Sequence, residues 1–356
     1  MNDPAFELLV SAINSDNRES LVWVVDENLS AEMCRRVAAR PQLRALTNRV
    51  DIRDRLVEQG IAVELSDFVF ETVEPDRCDA IYFRVSKEKA IVHHIVNRAA
   101  DYLKTGAELV LAGCKNEGIK TYADKATRYL GTCVDRQRGR KTAELYRIAR
   151  GATTGPPLDD RDYRQTLDVA EGELLFLSKP GLYGWNKIDK GSQLLVATLP
   201  QLLQGLARAP LQVVDLGCGY GYLSVMSNRL IESQRSMEAQ FIATDNNAAA
   251  VDMCRQNFAR HGVVGEVILA DCGGGVAAGA ADLVLCNPPF HQGFAVEGDL
   301  TDRFLRRARE LLKPAGCALF VVNSFIPLEK KAQAYFANVE ILVNSGSFKV
   351  ALLRTG

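Results

Sequence analysis

Leu211-Gln212-Val213-Val214-Asp215-Leu216-Gly217-Cys218-Gly219-Tyr220-Gly221 is the stretch on which the fold turns. An apolar strand ends in a carboxylate, a G-x-G-x-G turn follows, and Tyr222–Leu230 continues as a helical pattern. Strand, glycine turn and helix in that order open a Rossmann-like α/β unit. There the backbone turns sharply and comes close to a nucleoside that any Cβ would obstruct. In a dinucleotide fold the same turn cradles pyrophosphate, an anion that Asp215 would repel. The acid suits a cationic or hydroxyl-rich ligand instead, and S-adenosylmethionine carries both a sulfonium and an ammonium group.

Outward from this turn, three more strands end in chemistry. Phe241-Ile242-Ala243-Thr244 ends at Asp245, where a carboxylate can hold a ribose diol through two charge-assisted hydrogen bonds. Glu266–Ala270 ends at Asp271, placed to meet an adenine amino group. Ligands of open α/β sheets sit at the carboxyl ends of the strands, so Asp215, Asp245 and Asp271 form one set with Gly217, Gly219 and Gly221. The fourth strand, Asp282–Cys286, runs into Asn287-Pro288-Pro289-Phe290. The prolines fix the backbone and remove N–H donors. The Asn287 side-chain oxygen and the Pro288 carbonyl then make a pair of acceptors for one –NH₂ group, and Phe290 offers a flat face for stacking. Accepting both N–H bonds aims the amine lone pair at an electrophilic methyl, and positioning supplies most of the catalysis. Asn287, Pro288 and Phe290 are therefore the expected catalytic residues.

Together these residues resemble the class I S-adenosylmethionine-dependent methyltransferases that methylate amines. More narrowly, the chain is similar to the bacterial ribosomal RNA guanine-N2 methyltransferases, the RsmC/RlmG family. That narrower likeness rests on Gly181–Leu195 (GLYGWNKIDKGSQLL), Asn287–Gln292 (NPPFHQ), Val322–Pro327 (VNSFIP) and Phe348-Lys349-Val350. It implies S-adenosylmethionine as cofactor, with Asp189-Lys190-Gly191-Ser192 bordering its methionine end and Asn287 at the junction of cofactor and base. It implies ribosomal RNA as partner, with the small subunit expected and the large subunit the alternative. It also implies two tandem methyltransferase-like folds, the first assisting RNA binding. The segment Tyr183-Gly184-Trp185-Asn186 departs from the family's pattern, and whether Trp185 or Lys187 touches RNA stays open. The same N-P-P site also serves adenine or protein glutamine in other enzymes, and a non-catalytic RNA- or cofactor-binding module is a further alternative.

The first half fits a degenerate partner domain. Leu21–Val25, Ala80–Val85 and Glu108–Ala112 read as strands, Ala31–Arg40 and His93–Leu103 as helices, the β-α-β rhythm of a parallel sheet. No glycine turn follows Leu21–Val25, which argues for a scaffold or binding domain. From Arg136 to Pro157, six basic residues face one acid and lead into Gly151-Ala152-Thr153-Thr154-Gly155-Pro156-Pro157, a stretch read as linker. The expected domains are thus 1–157, degenerate, and 158–356, catalytic, in an α/β protein of two Rossmann-like domains.

The 356 residues match that count at roughly 150 per domain. With 47% hydrophobic and 24% charged residues, the composition excludes disordered and fibrous classes. No apolar run reaches about 18 residues and no secretory signal opens the chain, so no membrane association is expected. Nine scattered cysteines without a C-x-x-C pair read as reduced thiols in a cytoplasmic protein, and four dispersed histidines suggest no metal site. Cys218 and Cys286 read as small apolar fillers, His291 as a surface histidine, and Lys349 as either a phosphate contact or a solvated lysine. A monomer is the expected state. The net charge of −1 hides a split, since residues 98–150 carry 12 basic and 6 acidic side chains. A basic face on the first domain follows, with recognition leaning on RNA shape and a flipped base.

Overall fold

The computed structural model describes residues 3–26, 29–206, 209–235, 238–289 and 297–356. The chain divides into two compact units, the first ending at Gln165 and the second beginning at Thr166. In the first unit the strands are β1 (Leu21–Val25), β2 (Leu43–Thr47), β3 (Ala62–Leu65), β4 (Cys78–Arg84), β5 (Leu103–Cys114), β6 (Gly131–Arg138) and β7 (Ala143–Arg150). In the second they are β8 (Leu167–Glu171), β9 (Leu174–Ser178), β10 (Gln212–Leu216), β11 (Gln240–Asp245), β12 (Gly265–Leu269), β13 (Ala281–Cys286), β14 (Leu312–Asn323), β15 (Asn338–Asn344) and β16 (Phe348–Arg354).

Both units build the same seven-stranded sheet. The orders are β3-β2-β1-β4-β5-β7-β6 and β12-β11-β10-β13-β14-β16-β15. Five neighbouring strands run parallel in each, and the last two close the sheet antiparallel. These are tandem doubly wound, Rossmann-like sheets. Helices cover both faces, so the central strands are apolar throughout rather than alternating. In β1 all five residues of Leu-Val-Trp-Val-Val are buried. In the second unit Val213, Leu283 and Leu285 feed one core, while Val214, Val284 and Cys286 feed the core on the opposite face. Cys218 and Cys286 are buried among these side chains.

The basic part of the 136–157 stretch is largely strand, whereas residues 151–157 contain none. Residues 131–150 form the antiparallel pair β6–β7, and Glu144, Leu145 and Tyr146 are buried. Leu158 and Tyr163 pack into the first unit's core, which carries that unit past 157. All eight residues of β6 are exposed, so no hydrophobic alternation marks the strand. The expected helix Ala31–Arg40 is only Ala31–Cys34. Among the described residues no helix is long and apolar enough to cross a membrane, and no three His, Cys, Asp or Glu side chains gather as a metal site.

Candidate active site

The glycine turn joins β10 to the helix Tyr222–Arg235. Gly217, Gly219 and Gly221 all have positive φ, 81°, 55° and 89°. A Cβ on Gly221 would lie 2.8 Å from Cys254 Sγ, whereas one on Gly219 would enter open space. The backbone N–H groups of Gly217 and Cys218 both donate to Thr244 O at 2.9 Å, pinning the turn to the end of β11. Asp245, at that end, accepts from Gly219 N (3.0 Å) on one oxygen and from Asn247 N (2.9 Å) on the other. Each of its oxygens keeps acceptor capacity beyond one bond, as a ribose diol requires.

Asp215 does not line this opening. It is fully buried, and its Oδ2 accepts from Ser224 N (3.1 Å) and Ser224 Oγ (2.6 Å). Burial pushes its carboxyl up to about 7; the Ser224 hydrogen bonds act against this, and the nearby Asp245 charge adds to it. Its Oδ1 is enclosed and has no hydrogen-bond partner. A buried, unpartnered carboxylate oxygen beneath a cradle left open at Gly219 fits a ligand that brings positive charge to the turn. Asp271, expected to meet an adenine amino group, has one oxygen bound by Arg303 Nη2 at 2.6 Å.

Asn287 follows β13, half-buried, with Pro288 buried and Pro289 exposed. Its Nδ2 donates to Asp189 Oδ2 and to Ser192 Oγ, both at 2.8 Å. Asp189 caps the helix Lys190–Gly205, accepting from Ser192 N at 2.8 Å on the same oxygen. Its Oδ1 accepts from the Tyr183 hydroxyl at 3.1 Å. Tyr183 is nonetheless 74% exposed, so its ring faces solvent while its hydroxyl is tied down. Gly191 is buried, and a Cβ there would sit 3.0 Å from Asp189 Oδ2 and 3.1 Å from the Phe348 ring. The missing side chain at Gly191, a residue expected at the cofactor, lets the Asp189 turn close against β16. Sequence reasoning placed Asp189 and Ser192 near the site but missed their bond to Asn287, because 98 residues separate Asp189 from Asn287.

Other expectations change. Lys349 is neither solvated nor available to phosphate, for it is 5% exposed and its Nζ donates to Glu329 Oε2 at 2.6 Å. Trp185 packs partly buried against the second unit's core, while Lys187 is exposed. Phe290 and His291 lie outside the described residues.

The same strand ends in the first unit are filled by protein. Asp67 stands two residues after β3, as Asp271 stands two residues after β12. The buried Tyr163 donates its hydroxyl to Asp67 Oδ1 at 2.7 Å. Tyr163 also stacks on His94, with ring centroids 4.4 Å apart and planes at 27°. An internal tyrosine thus occupies the acid whose counterpart was expected to meet adenine.

Residues 173–352 match the family model of the methyltransferase small domain. A ribosomal RNA small subunit methyltransferase C of Pseudomonas paraeruginosa is 32% identical over 266 residues, covering 72% of this chain and 75% of that protein. Its namesake in Pseudomonas entomophila is 30% identical over 273 residues, covering 76% and 78%. In fold the chain is similar to a T. thermophilus 16S rRNA N2 methyltransferase solved with AdoMet and guanosine. That likeness has a TM-score of 0.80 at 22% identity and spans 100% of this chain and 92% of the other.

Proposed function

This chain belongs to the small-domain methyltransferases and, within them, to the ribosomal RNA small subunit methyltransferase C family, and from that premise we propose that it methylates the exocyclic N2 amine of an unpaired guanine in small-subunit ribosomal RNA. The cofactor is S-adenosylmethionine, which supplies an electrophilic methyl on its sulfonium. Asp245 would hold the ribose, the open cradle at Gly219 would admit the nucleoside backbone, and Asp215 would set negative charge beneath the turn.

The observation that carries the reading is the orientation of Asn287. Both hydrogens of its amide are spent on Asp189 and Ser192, so its oxygen is the atom left to receive an amine. The Pro288 carbonyl stands beside it in the chain as the second acceptor. Two acceptors hold an –NH₂ in place and turn its lone pair toward the methyl, and the amine proton leaves to solvent after transfer. A guanine N2 is hydrogen-bonded inside a helix, so the base must be flipped or single-stranded. Phe290 is assigned the stacking role, and the exposed Tyr183 ring is a second flat surface close to the amine acceptors.

Asn287→Ala tests this. Turnover is expected to fall by at least about 100-fold, the size of a lost positioning contact, while cofactor affinity holds. Unchanged turnover would overturn the mechanism.

A further inference from the structure

We propose that Asp189 is a positioning residue for methyl transfer, whose task is to hold the Asn287 carboxamide with its oxygen toward the substrate amine. The inference rests on the reading that Asn287 receives that amine. A carboxamide has two nearly isosteric ends, one accepting and one donating, and a half-turn about its last side-chain bond exchanges them. The exchanged Asn287 would present N–H groups to an amine that itself offers N–H groups, and no hydrogen bond would form. Some neighbour must therefore choose between the two orientations.

Asp189 makes that choice because an ionised carboxylate only accepts. Its Oδ2 lies 2.8 Å from Asn287 Nδ2. The reversed amide would set an oxygen against that carboxylate at the same distance, which is repulsive. Ser192 alone would not discriminate, since its hydroxyl can accept or donate and would adapt to either end. Asp189 is in turn held from three sides. Ser192 N reaches its Oδ2, the Tyr183 hydroxyl reaches its Oδ1, and the missing side chain at Gly191 lets the turn close onto Phe348. The network runs from an exposed tyrosine through the carboxylate to the amine acceptor, and each member of it limits the movement of the next.

Asp189 also caps a helix, so a structural role must be separated from a positioning role. Asn and Ser both cap helices about as well as Asp. Ser removes the acceptor facing Asn287. Asn supplies one acceptor and one donor, so the Asn287 amide can pair with it in either orientation. The experiment measures kcat, the KM for RNA, cofactor affinity and thermal midpoint for Asp189→Asn, Asp189→Ser and Asn287→Ala. Both Asp189 variants are expected to fold with nearly unchanged midpoints and to bind S-adenosylmethionine within about threefold of the parent chain. Their kcat is expected to fall by about 10- to 100-fold with little change in KM. Parent-like turnover in Asp189→Asn and Asp189→Ser, beside an inactive Asn287→Ala, would make Asp189 a cap only and overturn the inference while leaving the proposed function standing. Loss of cofactor affinity or midpoint in step with kcat would overturn it too. An active Asn287→Ala would sink the underlying reading, and this inference with it.

Discussion

Asp215 carries a charge that the folded chain resists. Its carboxyl sits at about 7 in the fold against an ordinary 3.8, so the folded state binds that proton more tightly than the unfolded chain does. Stability from this group is therefore fully present below about pH 4, declines as the pH rises, and is gone above about pH 7. Asp215→Asn removes the titration without changing the shape. Cofactor-free Asp215→Asn is expected to melt a few degrees higher than the parent at pH 8 and to exceed it by a clearly smaller margin at pH 5, measured by calorimetry at both values. An equal difference at both pH values would show that the buried carboxylate is not the cause. Residue by residue, sequence reasoning was most informative where backbone fixes the side chain. Asp245 ends its strand and bonds the glycine turn, and Asn287 follows its strand beside a fixed proline. It could not see partners distant in sequence, such as Arg303 on one oxygen of Asp271 and Glu329 on Lys349.

At the scale of the element, the glycine turn separates stability from binding. Gly221 has a φ of 89° and a Cβ there would collide with Cys254 Sγ, so Gly221→Ala combines backbone strain with overpacking. It is expected to cost about 3 kcal/mol of stability, read from denaturant unfolding. Gly219 has a φ of 55° and open space where its Cβ would go. Gly219→Ala is expected to cost only about 1 kcal/mol of stability yet to weaken S-adenosylmethionine binding by about tenfold or more, seen by titration calorimetry. Equal binding by Gly219→Ala and the parent would show that the cradle is not where the cofactor lies. The central strands of both sheets were legible because helices bury them on both faces, leaving apolar runs such as Leu21–Val25. The β6–β7 pair was not, because its exposed outer strand is Gly-Thr-Cys-Val-Asp-Arg-Gln-Arg, rich in charge and poor in apolar pattern. Charged side chains on an edge strand discourage pairing with other chains, and the same feature hides the strand from periodicity.

For the whole molecule, one sheet design appears twice with two outcomes. Among the described residues the second unit leaves open space where a Gly219 Cβ would stand, and the first places Tyr163 against Asp67. Titration calorimetry is expected to give one S-adenosylmethionine per chain, lost entirely in Asp245→Ala; two sites would contradict the reading of the first unit as degenerate. The basic excess of residues 98–150 emerges at the tip of the β6–β7 pair, where Arg138, Arg140 and Lys141 are exposed. If these three contact phosphates, replacing all of them with alanine lowers the slope of log affinity against log salt by about 2 to 3, measured by RNA binding across ionic strengths. An unchanged slope would place the RNA contacts elsewhere. The central claim is that the amine acceptors at Asn287 and Pro288 serve guanine N2 in small-subunit ribosomal RNA. Its most direct test is isotopic methyl transfer from S-adenosylmethionine to isolated small subunits, large subunits, naked RNA and protein, followed by digestion and nucleoside identification. Label recovered as N2-methylguanosine from small-subunit RNA is the result expected; label in another nucleoside, in the large subunit or only in protein would contradict it.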